Sequence, residues 1–308
     1  MIDLKKSEAL IAMTKTIAFA GRYNFKEGDI RPKYLLSVDL EDIRYQAKSG
    51  LNFPFRVPEM IEHILRFFDD NCIKGTFFAV GDTAREIGSL IKQVHKAGHE
   101  LGCHTYDHLQ LDKMTPETFR ENLLRNMDAL DRLGVDSVYG FRAPDFSLIE
   151  STQWAWEVLC ELGFRYSSSV LPARNPLYGW HGFPAYPLRM DNGLWELPIS
   201  ITSIIGFKIP FAGGIYMRVF PKIALHQFCR KHLKRGSPLV GYIHPYDIDT
   251  GEKKFKVEKN PLLNKLVYYN RKSTFPKLEF LLKRYVPMRF LDYVQILEKN
   301  IEKSNCNA

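Results

Sequence analysis

His104 and His108 stand four residues apart in Cys103-His104-Thr105-Tyr106-Asp107-His108. Two imidazoles at that spacing can point to one side of a helical turn and share a metal ion. The pair departs from the His-Glu-x-x-His pattern of zinc peptidases, because Thr105 occupies the place of the general-base Glu. Alone, it reads as well as two surface or capping histidines. Three further clusters give it chemical company: the acids Asp39, Glu41 and Asp42, the cation Arg142 in Phe141-Arg142-Ala143-Pro144-Asp145, and His244 in Ile243-His244-Pro245-Tyr246-Asp247. Histidines with a carboxylate suit a divalent cation. A further carboxylate suits a general base, and a separate histidine a general acid.

Each cluster follows an apolar run that reads as a strand: residues 33–39, 98–103, 138–141 and 238–243, with others over 76–81, 166–171 and 194–199. Helical patterns lie between them, over 59–70, 83–97, 115–133, 150–162 and 221–235. Thr115-Pro116 opens one with an N-cap and a first-turn proline, and Gly98, Gly134 and Gly163 mark helix ends. The alternation argues for a parallel α/β sheet, open or closed. Chemistry gathered after the strands lies on one face of such a fold. Residues 172–192, rich in Pro, Gly and aromatics, form a long loop. Its Trp180, Phe183 and Tyr186 either stack on sugar rings or pack within the loop.

The chain has 308 residues, 45% hydrophobic and 25% charged, an ordinary globular composition. No run approaches the roughly 20 apolar residues of a membrane-spanning helix, and the N-terminal sequence reads as no signal peptide. Five cysteines, widely spaced and without Cys-x-x-Cys, fit a reduced cytoplasmic protein. The net charge of +8 is concentrated in residues 251–308, where 13 Lys/Arg face 6 Asp/Glu. Such a segment is either a solvated surface around a C-terminal helix or a contact for anionic lipid on the inner membrane face, with Phe280, Leu281, Leu282, Tyr285 and Val286 as its apolar partners. No nucleic-acid module is present.

Taken together, Ser37-Val38-Asp39-Leu40-Glu41-Asp42, His104-Thr105-Tyr106-Asp107-His108, Arg142-Ala143-Pro144 and His244 resemble, in order and spacing, the motifs of the polysaccharide deacetylase family (the NodB-homology fold, carbohydrate esterase family four). Gly213-Gly214-Ile215-Tyr216-Met217-Arg218 and His-Pro-Tyr-Asp-Ile-Asp resemble its branch found in surface-glycan and exopolysaccharide clusters. The resemblance covers residues 32–250. It implies a distorted (β/α)7 barrel over 31–250, after an N-terminal extension over 1–30 and before a helical basic segment over 251–308 packed on the barrel. It also implies a metal-dependent hydrolase that removes N-acetyl groups from an amino sugar of a surface glycan or of its lipid- or nucleotide-linked precursor. Rival readings are a hydrolase of formyl or other small-molecule amides, and a catalytically silent carbohydrate binder.

Carried over by position, the resemblance makes His104 and His108 metal ligands, Asp39 the general base and Arg142 its orienting cation. The backbone N–H of Asp145 becomes an oxyanion donor, His244 the acid, and Glu196 the carboxylate that tunes His244. Leu40 fills the place of the usual ligand Asp, so the third ligand is Glu41 or Asp42, with Glu41 favoured. Zn²⁺ suits the set, as do Co²⁺, Ni²⁺ and Mn²⁺. The family's usual Asp-Trp fourth motif is missing, which leaves Glu196 without a matching pattern. The other six histidines read as structural or surface residues.

Overall fold

The computed structural model describes residues 31–306 except 176, 258 and 259, so the extension expected over 1–30 lies outside the described residues. Strand β1 is Lys33–Leu40, and every residue after Lys33 is buried. Burial on both faces is what its continuous apolar run requires of a central parallel strand. Side chains alternate across it. Tyr34, Leu36, Val38 and Leu40 pack into the layer under the helices, whereas Leu35 joins an inner cluster with Phe78, Tyr166, Trp195, Val240 and Tyr242. Ser37 and Asp39 share the parity of Leu35.

The sheet that contains β1 also holds β2 (Thr76–Ala79), β3 (Glu100–Cys103), β4 (Gly140–Phe141), β5 (Tyr166–Ser167), β6 (Leu188–Arg189), β7 (Trp195–Glu196) and β10 (Leu239–Ile243). They run in the order β10-β1-β2-β3-β4-β5-β7-β6, and all are parallel except β6, which is antiparallel to β7. Past β7 the chain returns to β10, where Ser200 N–H donates to Val240 O at 3.2 Å and Val240 N–H to Ser200 Oγ at 2.8 Å. The result is the expected distorted barrel of seven parallel strands. A separate hairpin, β8 (Ile201–Ile204) with β9 (Phe207–Pro210), stands outside it.

Helices α1 (Val57–Asp70), α2 (Gly81–Glu86), α3 (Gly88–Lys96), α4 (Pro116–Asp131), α5 (Ala155–Glu161), α6 (Gly214–Val219) and α7 (Lys222–Leu233) fall between the strands. Thr115 caps α4 reciprocally with Thr118, as its sequence predicts. The helix expected over 83–97 is broken at Gly88, where an added Cβ would lie 2.9 Å from Leu133 Cδ2.

The basic segment is built more deeply into the fold than expected. Beyond α8 (Pro261–Val267) and α9 (Thr274–Leu282), β11 (Val286–Met288) pairs with the start of β1. Helix α10 (Phe290–Cys306) then begins against the barrel floor, where Phe290 N–H donates to Thr76 Oγ1 at 3.0 Å and Leu291 N–H to Glu100 Oε2 at 3.1 Å. A carboxylate at a helix N-terminus complements the helix dipole. Leu281 and Tyr285 are buried, and Phe280 and Leu282 pack on the core. These apolar residues therefore face inward, which corrects the reading of them as a lipid-facing patch. Among the described residues no helix is long and apolar enough to cross a membrane.

Candidate active site

β3 ends at Cys103 and delivers His104 at the mouth of the barrel. The His104–His108 stretch is no helical turn, contrary to the spacing argument. Thr105 and His108 take left-handed backbone angles, φ 59° and 58°, which fold it into a tight loop. A β-branched residue there is strained, and helix α4 supplies the restraint. Asn126 Nδ2 donates to Ala79 O at 2.9 Å and Thr105 O at 2.5 Å. Asn122 Oδ1 accepts from Tyr106 N–H at 2.6 Å, and its Nδ2 donates to Asp107 at 2.9 Å. His104 Nδ1 donates to Arg142 O at 2.8 Å, which leaves its Nε2 as the free lone pair.

Glu41, not Asp42, stands with the two histidines. One oxygen of Glu41 and one ring nitrogen each from His104 and His108 lie within 4.8 Å of one another. Glu41 Oε2 touches His108 Nε2 and lies 4.0 Å from His104 Nε2. Its Oε1 accepts from Tyr246 Oη at 3.0 Å and Gln46 Nε2 at 3.2 Å. Asp42 is occupied elsewhere: it caps the next turn, accepting from Arg44 N–H at 2.9 Å and Arg44 Nε at 2.7 Å. Burial alone would raise the Glu41 carboxyl, but His108, His244 and His104 override it and hold the group well below the usual carboxylate range. Burial pushes His104 down to about 4, keeping it neutral as a metal ligand must be. The donor set fits a divalent ion: two imidazoles and an anionic carboxylate, with the second nitrogen of His104 and the second oxygen of Glu41 held by hydrogen bonds.

Asp39 and Arg142 form a buried pair at 2.6 Å. Arg142 Nη1 also donates to Ser37 Oγ at 2.5 Å, Nε to Ser168 O at 3.0 Å and Nη2 to Ser168 Oγ at 2.9 Å. Its guanidinium lies 4.3 Å from the centroid of the Phe78 ring. A buried charge survives only when paired and bonded on all sides, and this one is. Asp39 is thereby fixed in one orientation.

His244 follows β10. Its Nδ1 lies 2.8 Å from Asp247 Oδ2, and its Nε2 lies 3.6 Å from Glu41 Oε1. Asp247 forms an ion pair with Arg218 Nη2 at 3.0 Å. Burial opposes protonation of His244, but the charge and hydrogen bond of Asp247, with Glu41 and Asp39, raise it to about 9. This corrects the expectation for Glu196. Its carboxylate is buried and turned to Ser169 N–H at 2.8 Å, Val170 N–H at 3.0 Å and Trp156 Nε1 at 3.2 Å. Glu196 fixes the serine segment that holds Arg142, and Asp247 is the acid beside His244. The signal for Asp247 lay in His244-Pro245-Tyr246-Asp247, a Pro at the first helical position and an acid three residues past the cap.

A cleft of about 270 Å³ opens over these groups, lined among others by Asp145, Tyr178, Tyr216, Tyr242 and Tyr246. Asp145 and Phe146 both take left-handed angles, φ 54° and 56°, at its wall. Two consecutive strained residues mark a position the surrounding structure over-determines. Trp180 and Phe183 are not in the cleft: Trp180 stacks on Trp156 at 5.7 Å, with Phe183 against both, so loop packing is their role. Tyr186 also packs on the core. The branch motif does reach the site, through Ile215 and Tyr216 in the cleft wall and Arg218 on Asp247.

Residues 47–167 match the polysaccharide deacetylase family model, and residues 168–297 match a domain of unknown function, DUF3473. A peptidoglycan-N-acetylglucosamine deacetylase of Bacillus cereus is 29% identical over 100 residues, 32% of this chain and 36% of the relative. A peptidoglycan deacetylase of Helicobacter pylori is 27% identical over 199 residues, 61% of either protein. The chain thus matches less than two thirds of the length of these relatives. A Mycobacterium smegmatis crystal structure, provisionally assigned as a polysaccharide deacetylase, has a TM-score of 0.55 at 20% identity over 90% of this chain and 93% of that one. That likeness is one of fold. The polysaccharide deacetylase match covers the strand ends that carry His104, His108 and Arg142, whereas Asp39 and Glu41 precede it and His244 falls within the DUF3473 match. The chain belongs to the polysaccharide deacetylase family.

Proposed function

We propose that this protein is a metal-dependent N-deacetylase acting on an amino-sugar residue of a surface glycan or its precursor. The observation that carries the reading is the convergence of Glu41, His104 and His108 beside a fixed Asp39–Arg142 pair and a proton-rich His244. Glu41, His104 and His108 would hold the ion. When bound, a divalent ion polarises the acyl carbonyl and makes water a nucleophile at neutral pH. Asp39, held by Arg142, accepts the proton of the attacking water. The Asp145 N–H donates to the carbonyl oxygen as it gains charge. His244, protonated at neutral pH, gives its Nε2 proton to the departing amine. Tyr178, Tyr216 and Tyr246 supply aromatic walls of the kind that seat sugar rings.

Cys72, Cys103, Cys160 and Cys229 are free thiols. They accord with a reducing compartment, and the reading sets the enzyme in the cytoplasm, on a precursor. The test is a panel of N-acetyl, N-formyl and O-acetyl amino-sugar substrates, with released acid measured by chromatography. Release of acetate from the N-acetyl compounds supports the reading. Release of formate alone would replace it with a deformylase. No release from any compound, with metal bound, would leave a carbohydrate binder.

A further inference from the structure

Residues 197–246 contain seven Lys or Arg and no Asp or Glu. Within that acid-free stretch the β8–β9 hairpin projects from the barrel. Its tip, Ile205-Gly206, has φ 48° and 79°, the left-handed pair of a turn in which Asn-Gly is the usual sequence. Isoleucine is poorly suited to that backbone. Its side chain is 92% exposed, and Phe207 beside it is 74% exposed, so the folded chain gains no burial from either. Cations flank the hairpin. Lys208 is on β9 itself. From α7 and the turn that follows it, Lys231 Nζ donates to Ser203 O at 2.9 Å and Arg235 Nη1 to Ile201 O at 3.0 Å, with Arg230 and Lys234 exposed beside them in the sequence. The base of the hairpin, Pro210, lines the cleft. At about 3.3 Å per residue the tip stands roughly 10–13 Å beyond the cleft rim.

We propose that this hairpin docks the protein on an anionic phospholipid bilayer, with Ile205 and Phe207 entering the headgroup–acyl boundary and the Lys208, Arg230, Lys231, Lys234 and Arg235 cations lying against lipid phosphates. Apolar tips ringed by Lys and Arg bind in this way. Charge selects the occupant. An apolar protein pocket would cover Ile205 and Phe207 as well, but the Lys and Arg side chains beside them, on a stretch of chain without acids, complement an extended anionic plane. Docked so, the cleft opens close to the lipid surface, within reach of a glycan carried on a lipid. The inference rests on this surface alone and is independent of the reaction.

The experiment is co-sedimentation of the full chain with vesicles of phosphatidylcholine, alone or mixed with phosphatidylglycerol. Three proteins are compared: wild type, Ile205→Asn with Phe207→Ser, and Lys208→Glu with Lys234→Glu. Asn suits the left-handed turn, so the first variant keeps the hairpin, and thermal melting by circular dichroism checks both folds. Wild type is expected to bind the anionic vesicles, weakly the neutral ones, and to release as salt rises. Each variant should bind on the order of 10-fold less tightly. Equal binding by wild type and the Ile205→Asn, Phe207→Ser variant would overturn the proposal. So would failure of wild type to bind either vesicle, or self-association of wild type that the same variant abolishes without any lipid binding.

Discussion

Asp247 Oδ2 lies 2.8 Å from His244 Nδ1, and the same carboxylate oxygen accepts the His244 backbone N–H at 2.9 Å. The acid therefore orients both the ring and the chain that carries it. It is also the main influence holding the imidazolium, since burial works the other way. An acid catalyst acts while protonated, so the rate should fall as pH rises through a value near 9. Asp247→Asn removes the charge, which lowers the His244 pKa. Its alkaline limb should move to lower pH by about one unit or more. The pH profile of kcat checks this, and an unmoved limb would separate Asp247 from the acid.

Asp39→Asn preserves shape but cannot take a proton from water. It should keep metal and lose on the order of 10²–10⁴ in turnover. Metal analysis alongside steady-state rates makes the check. Normal turnover would remove Asp39 as the base.

Glu41 and Asp42 should part company. Glu41→Gln leaves the histidines without an anionic partner and should weaken metal affinity, with partial recovery of activity in excess metal. Asp42→Asn should keep metal but loosen the turn that Asp42 caps, at a cost of about 1–3 kcal/mol. Metal content and denaturant melts of both variants decide between the two acids. Loss of metal from Asp42→Asn alone would exchange their roles.

Asn126 holds two buried carbonyls, Ala79 O and Thr105 O, around the strained loop. Asn126→Ala removes one of the two hydrogen bonds that each carbonyl accepts, His104 N–H still donating to Ala79 O and Gly81 N–H to Thr105 O, and should cost about 1–3 kcal/mol. It should also weaken metal binding, although Asn126 touches no proposed ligand. A calorimetric metal titration reads the second effect. Unchanged affinity would mean that the loop holds its own shape.

The sequence made the barrel legible through β1, β3 and β10, whose apolar runs end at Asp39, His104 and His244. It made the catalytic residue types legible because metal and proton chemistry admits few. What it hid were relationships across the fold. Asn122 and Asn126 look like poor helix formers until the loop they restrain is in view. Glu196 and Asp247 were both acids near strand ends, and only the path of the chain shows which one meets His244. Val286-Pro287-Met288 reads as a break, because proline cannot donate to a ladder, yet it pairs with β1 at its start. The hairpin tip at Ile205-Gly206 lacks the usual turn residues and gave no turn signal.

The most direct measurement is acetate release from an N-acetylglucosamine oligomer while Zn²⁺ is titrated into metal-stripped protein, wild type beside the His104→Ala, His108→Ala variant. The account predicts release that rises with metal to saturation at about one ion per chain, and none above background from the variant at any metal concentration. Full release by stripped wild type, or by the variant, would contradict it.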